Sequence, residues 1–123
     1  MKNIYQEGSL KTPEINFDYS KGVIELKGRS TPENTEDVYK PLIDWVKDYV
    51  QTPQNKTIVN IQFEYFNSSS SKYLTRFLEH IRDLKNNNME YVINWFYEDE
   101  ELKESGQDFA DILDLEFNYI FTK

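Results

Sequence analysis

From Glu14 to Tyr19 apolar and polar positions alternate, with Ile15, Phe17 and Tyr19 set against Glu14, Asn16 and Asp18. A period of two predicts a half-buried strand. Tyr19-Ser20-Lys21-Gly22 reads as a turn, and Val23, Ile24 and Leu26 as a returning strand, so the pair forms a hairpin. Before it, Ile4 and Tyr5 suit the start of an edge strand, and Thr12-Pro13 breaks the chain. Gly28 to Asn34 reads as a loop that ends in helix-start chemistry. The period then changes. Val38, Leu42, Trp45, Val46, Tyr49 and Val50 recur at three and four, which predicts a helix near 36–50. Pro41 either lies in its first turn or separates a short turn, 33–39, from a helix at 41–51.

The run 57–66 is the strongest strand signal. Ile58, Val59, Ile61, Phe63, Tyr65 and Phe66 leave little room for charge, as expected of a central strand covered on its faces. A helical pattern follows over roughly 70–86, with Tyr73, Leu74, Phe77, Leu78, Ile81 and Leu84 on one side and Asn86-Asn87-Asn88 as its stop. Tyr91 to Tyr97 reads as a buried strand, Glu98-Asp99-Glu100-Glu101 as an acidic loop and Gln107 to Leu113 as a short third helix. Phe117, Tyr119, Ile120 and Phe121 form a last strand. The order β-β-α-β-α-β-α-β predicts an α/β fold of one domain over 1–123, with helices packed on a mixed, mostly parallel sheet and right-handed crossovers.

Between the central strand and the second helix stands Asn67-Ser68-Ser69-Ser70-Ser71-Lys72. A helix N-terminus presents unpaired N–H groups and a partial positive charge. A serine there can cap the helix, or it can accept a phosphoryl group whose charge the helix end stabilises. The bland reading is a serine N-cap. Four serines exceed what one cap needs, and Lys72, one turn onward, stands ready either to hold a phosphate or simply to be solvated.

Charge and composition narrow the partners. Among 123 residues there are 14 Lys and Arg against 22 Asp and Glu, a formal net charge of −8. That field disfavours nucleic acid and anionic membranes and leaves protein partners open. With no Cys, thiol chemistry, disulfides and thiolate metal sites are excluded. The N-terminus lacks an apolar leader and no run approaches the ~20 apolar residues of a membrane span, so the chain reads as cytoplasmic, with no membrane insertion. The lone His80 has no partner for a triad or a metal site, and the scattered glycines form no phosphate loop. No nucleophile–base pair or cofactor motif is visible, so no cofactor and no catalysis are expected.

The acidic run offers carboxylates to a divalent cation, but consecutive carboxylates point apart, which favours a solvated loop. If strand 91–97 lies parallel to 57–66, that loop and the serines share one end of the sheet, where α/β proteins place their sites. Tyr65 and Tyr97 end their strands, so each is read as packing or as the border of a surface patch.

The motifs in order resemble a known group. Thr12-Pro13-Glu14-Ile15 with Phe17-Asp18, Gly22-Val23-Ile24-Glu25-Leu26-Lys27-Gly28, Pro32-Glu33-Asn34 and Pro41-Leu42-Ile43-Asp44-Trp45 come first. Tyr65-Phe66-Asn67-Ser68-Ser69-Ser70-Ser71-Lys72, Trp95-Phe96-Tyr97-Glu98-Asp99-Glu100, and Gly106 with Phe109 complete the set. The arrangement resembles the STAS-type fold of anti-sigma-factor antagonists, and more closely the SiaC family of bacterial regulatory phosphoproteins. The resemblance implies a switch without catalysis. A Ser/Thr kinase phosphorylates it, a PP2C-type phosphatase reverses this, and the unphosphorylated form binds and activates a diguanylate cyclase, controlling cyclic-di-GMP and biofilm behaviour. The family's acceptor follows the Asn and is often Thr; here that position is Ser68, with Ser69 and Ser70 as alternatives in the serine run. Tyr65, Asn67, Ser69, Ser70, Ser71, Lys72, Tyr97, Glu98 and Asp99 are the partner-binding candidates. The rival reading is a structural domain whose serine loop holds an anion or a nucleotide without phosphorylation control.

Overall fold

A computed structural model describes all 123 residues. The elements run β1 (Ile4–Gln6), β2 (Glu14–Asp18), β3 (Val23–Ser30), α1 (Thr35–Tyr49), β4 (Lys56–Phe66), α2 (Ser68–Asn86), β5 (Glu90–Tyr97), α3 (Glu100–Leu113) and β6 (Asn118–Phe121). The six strands form one sheet in sequence order, β1-β2-β3-β4-β5-β6, so β4 is interior as expected and β1 adds an edge strand to the predicted order. The pairs β1/β2 and β2/β3 are antiparallel and β3/β4, β4/β5 and β5/β6 parallel. The mixture is therefore more even than a mostly parallel sheet.

Each parallel pair is joined by a helix, and all three helices cover the same face. Ile15, Phe17, Ile24, Leu26, Val59, Ile61, Phe63, Ile93 and Trp95 point into that layer and join one core with α1, α2 and α3. The expectation that β4 is covered on both faces is corrected: its alternate residues Ile58, Asn60, Gln62 and Glu64 lie on the opposite, open face. That face is knitted by in-register polar side chains. Asn16 and Asn60 each donate to one carboxylate oxygen of Glu25, Asn94 donates to Asn60, and Asn118 donates to Asn94. The chain of bonds crosses five strands. It fixes their register without burying apolar surface, because a one-residue slip would turn these amides toward the core.

Phe117 precedes β6 and packs into the core instead of opening the last strand, and four further elements differ from the pattern-based reading, each for a local reason. β3 continues through Gly28 to Ser30 because a bulge falls between Gly28 and Arg29, and Gly28 takes φ +111°, open to glycine. α1 is one helix with Pro41 inside it, neither confined to its first turn nor broken there. The lost hydrogen bond would have reached the Asp37 carbonyl; both residues are exposed, so water can replace it. α2 starts at Ser68, and its cap is Asn67 rather than a serine. α3 starts at Glu100, so the supposed acidic loop is a helix N-terminus: Asp99 caps it and Glu100 and Glu101 occupy its first turn. Carboxylates there oppose the helix dipole, which is why the run is helical.

Candidate functional site

Parallel pairing of β3, β4 and β5 brings the N-termini of α1, α2 and α3 to one end of the sheet. Asn67 organises the α2 terminus. Its Oδ1 accepts from the Ser70 N–H at 2.9 Å and from the Ser69 hydroxyl at 3.1 Å. Its own N–H donates to the Ser30 carbonyl at 3.1 Å, tying the cap to the end of β3.

The four serines are not equivalent. Ser70 is fully buried. Its hydroxyl donates to the Ser30 carbonyl at 2.9 Å and lies 2.8 Å from the Ser30 hydroxyl. The Ser30 hydroxyl in turn lies 2.6 Å from the phenol oxygen of Tyr39 on α1. Ser69 is exposed but engaged: its Oγ is 2.8 Å from Oγ1 of Thr35, the first residue of α1. That contact joins the two helix N-termini. Ser71 is half-buried, while Lys72 is exposed and makes no ion pair. Ser68 is exposed, and its hydroxyl makes no hydrogen bond to the rest of the chain.

Sequence reasoning missed Ser30, Thr35 and Tyr39. No local pattern marks them, since 40 positions separate Ser30 from Ser70 and 34 separate Thr35 from Ser69. Only the parallel β3/β4 register brings them together.

Burial pushes the Tyr39 phenol up from 10.0 to about 12, against the opposing pull of the Ser30 and Ser70 hydroxyls. A phenol raised in this way keeps its proton when the unfolded chain has lost it. Its contribution is therefore fully present below pH 10 and is lost as pH rises from 10 to about 12, by about 2–3 kcal/mol in the limit. Urea titrations across that window should show a steeper alkaline loss for the wild type than for Tyr39→Phe. Parallel curves would contradict the assignment.

The family model described as "SiaC family regulatory phosphoprotein" matches residues 6–122. The chain belongs to the SiaC family. It is therefore a regulatory protein rather than an enzyme. An uncharacterized protein of Pseudomonas aeruginosa (strain UCBPP-PA14) is 25% identical over 113 residues, 90% of each chain. Among solved structures, apo-SiaC from Pseudomonas aeruginosa superposes with a TM-score of 0.87 at 24% identity over all of both chains. A chain from the crystal structure of "diguanylate cyclase SiaD in complex with its activator SiaC" of that organism superposes at 0.90, with 23% identity over 97% of this chain and 99% of that one.

In this SiaC-family chain the remaining candidates divide into two groups. Tyr65 and Asp99 line one depression beside the start of α3, together with Phe66 and Ser105. Tyr65 is 50% exposed, with the Arg29 guanidinium 5.5 Å from its ring centre. Tyr97 instead packs against Phe121 of β6, with the Lys103 ammonium over its ring. Glu98 is exposed, outside that depression. Asp99 Oδ1 accepts from the Leu102 N–H at 2.9 Å, and no three His, Cys, Asp or Glu side chains converge as a metal site. No helix is long and apolar enough to cross a membrane.

Proposed function

We propose that this chain is a phosphorylation-controlled adaptor whose unphosphorylated form binds and activates a diguanylate cyclase. A Ser/Thr kinase modifies Ser68 and a PP2C-type phosphatase restores it. The observation that carries the choice of residue is that Ser68 has an exposed, unengaged hydroxyl, whereas Ser69 is tied to Thr35 and Ser70 is buried. The family description as a regulatory phosphoprotein supports phosphorylation control, and the cyclase complex of the Pseudomonas aeruginosa SiaC supports a diguanylate cyclase as partner; the kinase and the PP2C-type phosphatase rest on the family resemblance.

A phosphate on Ser68 adds about −1.5 to −2 charge at neutral pH. It stands at the first position of α2, where the helix end favours an anion by ~0.3–1 kcal/mol and the core is not disturbed. The block to binding therefore arises at the interface. A hydrated dianion on the exposed N-terminus of α2 must be desolvated when the partner docks there, which costs several kcal/mol where the partner offers it no cation.

Co-expression with the kinase from the same genome and phosphopeptide mapping should place the phosphate on Ser68. Ser68→Ala should bind the cyclase like the wild type. The phosphoprotein should bind at least about a hundredfold more weakly, at nearly unchanged thermal stability. Equal affinity of the two forms would end the switch reading, and modification only outside 67–72 would end the site assignment.

A further inference from the structure

We propose that the groove between α2 and α3 receives a basic, amphipathic helical segment of the protein partner. This deepens the adaptor reading and rests on it. Two depressions adjoin, sharing Phe66 and Ser105. One runs from Tyr65 to Leu102 and the other from Ser71 and Thr75 to Phe109 and Ile112. They exist because α2 packs extensively on α1 but only lightly on α3. At about 150 and 280 Å³ each is smaller than the roughly 300–1,000 Å³ of drug-sized ligand pockets, so side chains suit them better than a cofactor.

The apolar surface is open. Ile112 is 74% exposed although it sits on a helix with a buried face, and Tyr65 is half exposed at the other end. Phe66 and Phe109 form the floor between them, with ring centres 6.1 Å apart. Apolar contacts spaced along a groove beside a helix are the layout that accepts another amphipathic helix.

Charge selects the occupant. Glu64, Asp99, Glu101 and Asp108 line these depressions, no Lys or Arg does, and none of the four forms an ion pair. On the opposite wall α2 contributes the neutral hydroxyls of Ser71 and Thr75. The segment is therefore basic toward α3 and uncharged toward α2. Ser68 lies two turns before Thr75 on the same side of α2. A phosphate added there faces the uncharged side of the segment, where it finds no counter-charge.

The test uses the full unphosphorylated chain and the diguanylate cyclase from the same genome. Ile112→Asp should lower affinity roughly tenfold or more, while Tyr5→Asp, 67% exposed on the edge strand at the other side of the sheet, should leave it unchanged. Glu101→Lys with Asp108→Lys should weaken binding at low salt and flatten its salt dependence. If the cyclase binds and phosphorylation blocks it, but Ile112→Asp binds normally, the groove assignment fails and the adaptor reading stands. Tighter binding by the charge-reversed variant would overturn the basic character of the segment. Self-association of the chain that Ile112→Asp abolishes would make a second copy the occupant and overturn the proposal. No binding by the wild type would overturn both readings.

Discussion

Ser70→Asp should lower stability by about 3–5 kcal/mol, whereas Ser68→Asp, two residues away, should stay within about 0.5 kcal/mol of the wild type. The difference follows from what each hydroxyl touches. Ser70 is fully buried, and its proton serves the Ser30 carbonyl while its oxygen faces the Ser30 hydroxyl. An aspartate there loses the donor, sets a carboxylate against the Ser30 carbonyl and brings no cation with it. Ser30 also anchors Asn67 and contacts Tyr39, so the cap of α2 and its seam with α1 loosen together. Thermal unfolding should show a fall of roughly 10–20 °C for Ser70→Asp. A Ser70→Asp variant as stable as Ser68→Asp would mean that the buried hydroxyl network does not exist in solution. The same contrast matters for phosphorylation: a phosphate on Ser70 would disrupt the fold, while one on Ser68 changes only the surface.

Gly106→Val should be similarly damaging, by about 3–5 kcal/mol, through a different mechanism. Gly106 lies in the middle of α3 and faces Trp95, the largest fully buried side chain. A Cβ at this position would stand 2.6 Å from Trp95 Nε1 and 2.7 Å from two further ring atoms. The indole cannot retreat, since it is enclosed by Phe66, Phe109 and Phe117 and donates to the Leu102 carbonyl at 2.8 Å. Either α3 lifts from the sheet or that bond breaks and leaves a buried donor unpaired. Gly106→Ala should be milder, because the gain of about 1 kcal/mol in helix propensity offsets part of the clash. Denaturant titration followed by tryptophan fluorescence would measure both. A valine variant of wild-type stability would refute the close approach of α3 to Trp95.

The same glycine explains one misreading of the pattern. Gly106 breaks a helical run in the sequence, so the pattern predicts the third helix only from Gln107. Helix propensity is a local preference of about 1 kcal/mol, and here packing against Trp95 outweighs it. The acidic run before it departs from a solvated loop for a related reason. Carboxylates in succession look solvated until the strand before them ends and their N–H groups need acceptors, at which point Asp99 becomes a cap.

What the amino-acid order determined by itself was the alternation of periods. Two-residue alternation marked β2 and β3, three-and-four spacing marked α1 and α2, and the apolar run of β4 marked the strand that leads into the serines. It also placed an asparagine and four serines where a helix begins, and it drew enough motifs into order for the SiaC resemblance. These are properties of neighbours in the chain, and the forces behind them act over one or two turns. The tertiary structure alone decided which of the serines are free. Ser69 and Ser70 are engaged by Thr35 and Ser30, residues remote in sequence that reach them only because β3 and β4 pair in parallel. It also decided that the sheet is covered on one face, since β4 alternates Asn60 and Gln62 with Val59 and Ile61 in a run that reads as nearly all apolar. Burial and hydrogen bonding depend on distances in space, and contacts between residues remote in sequence set those distances only when the chain is folded.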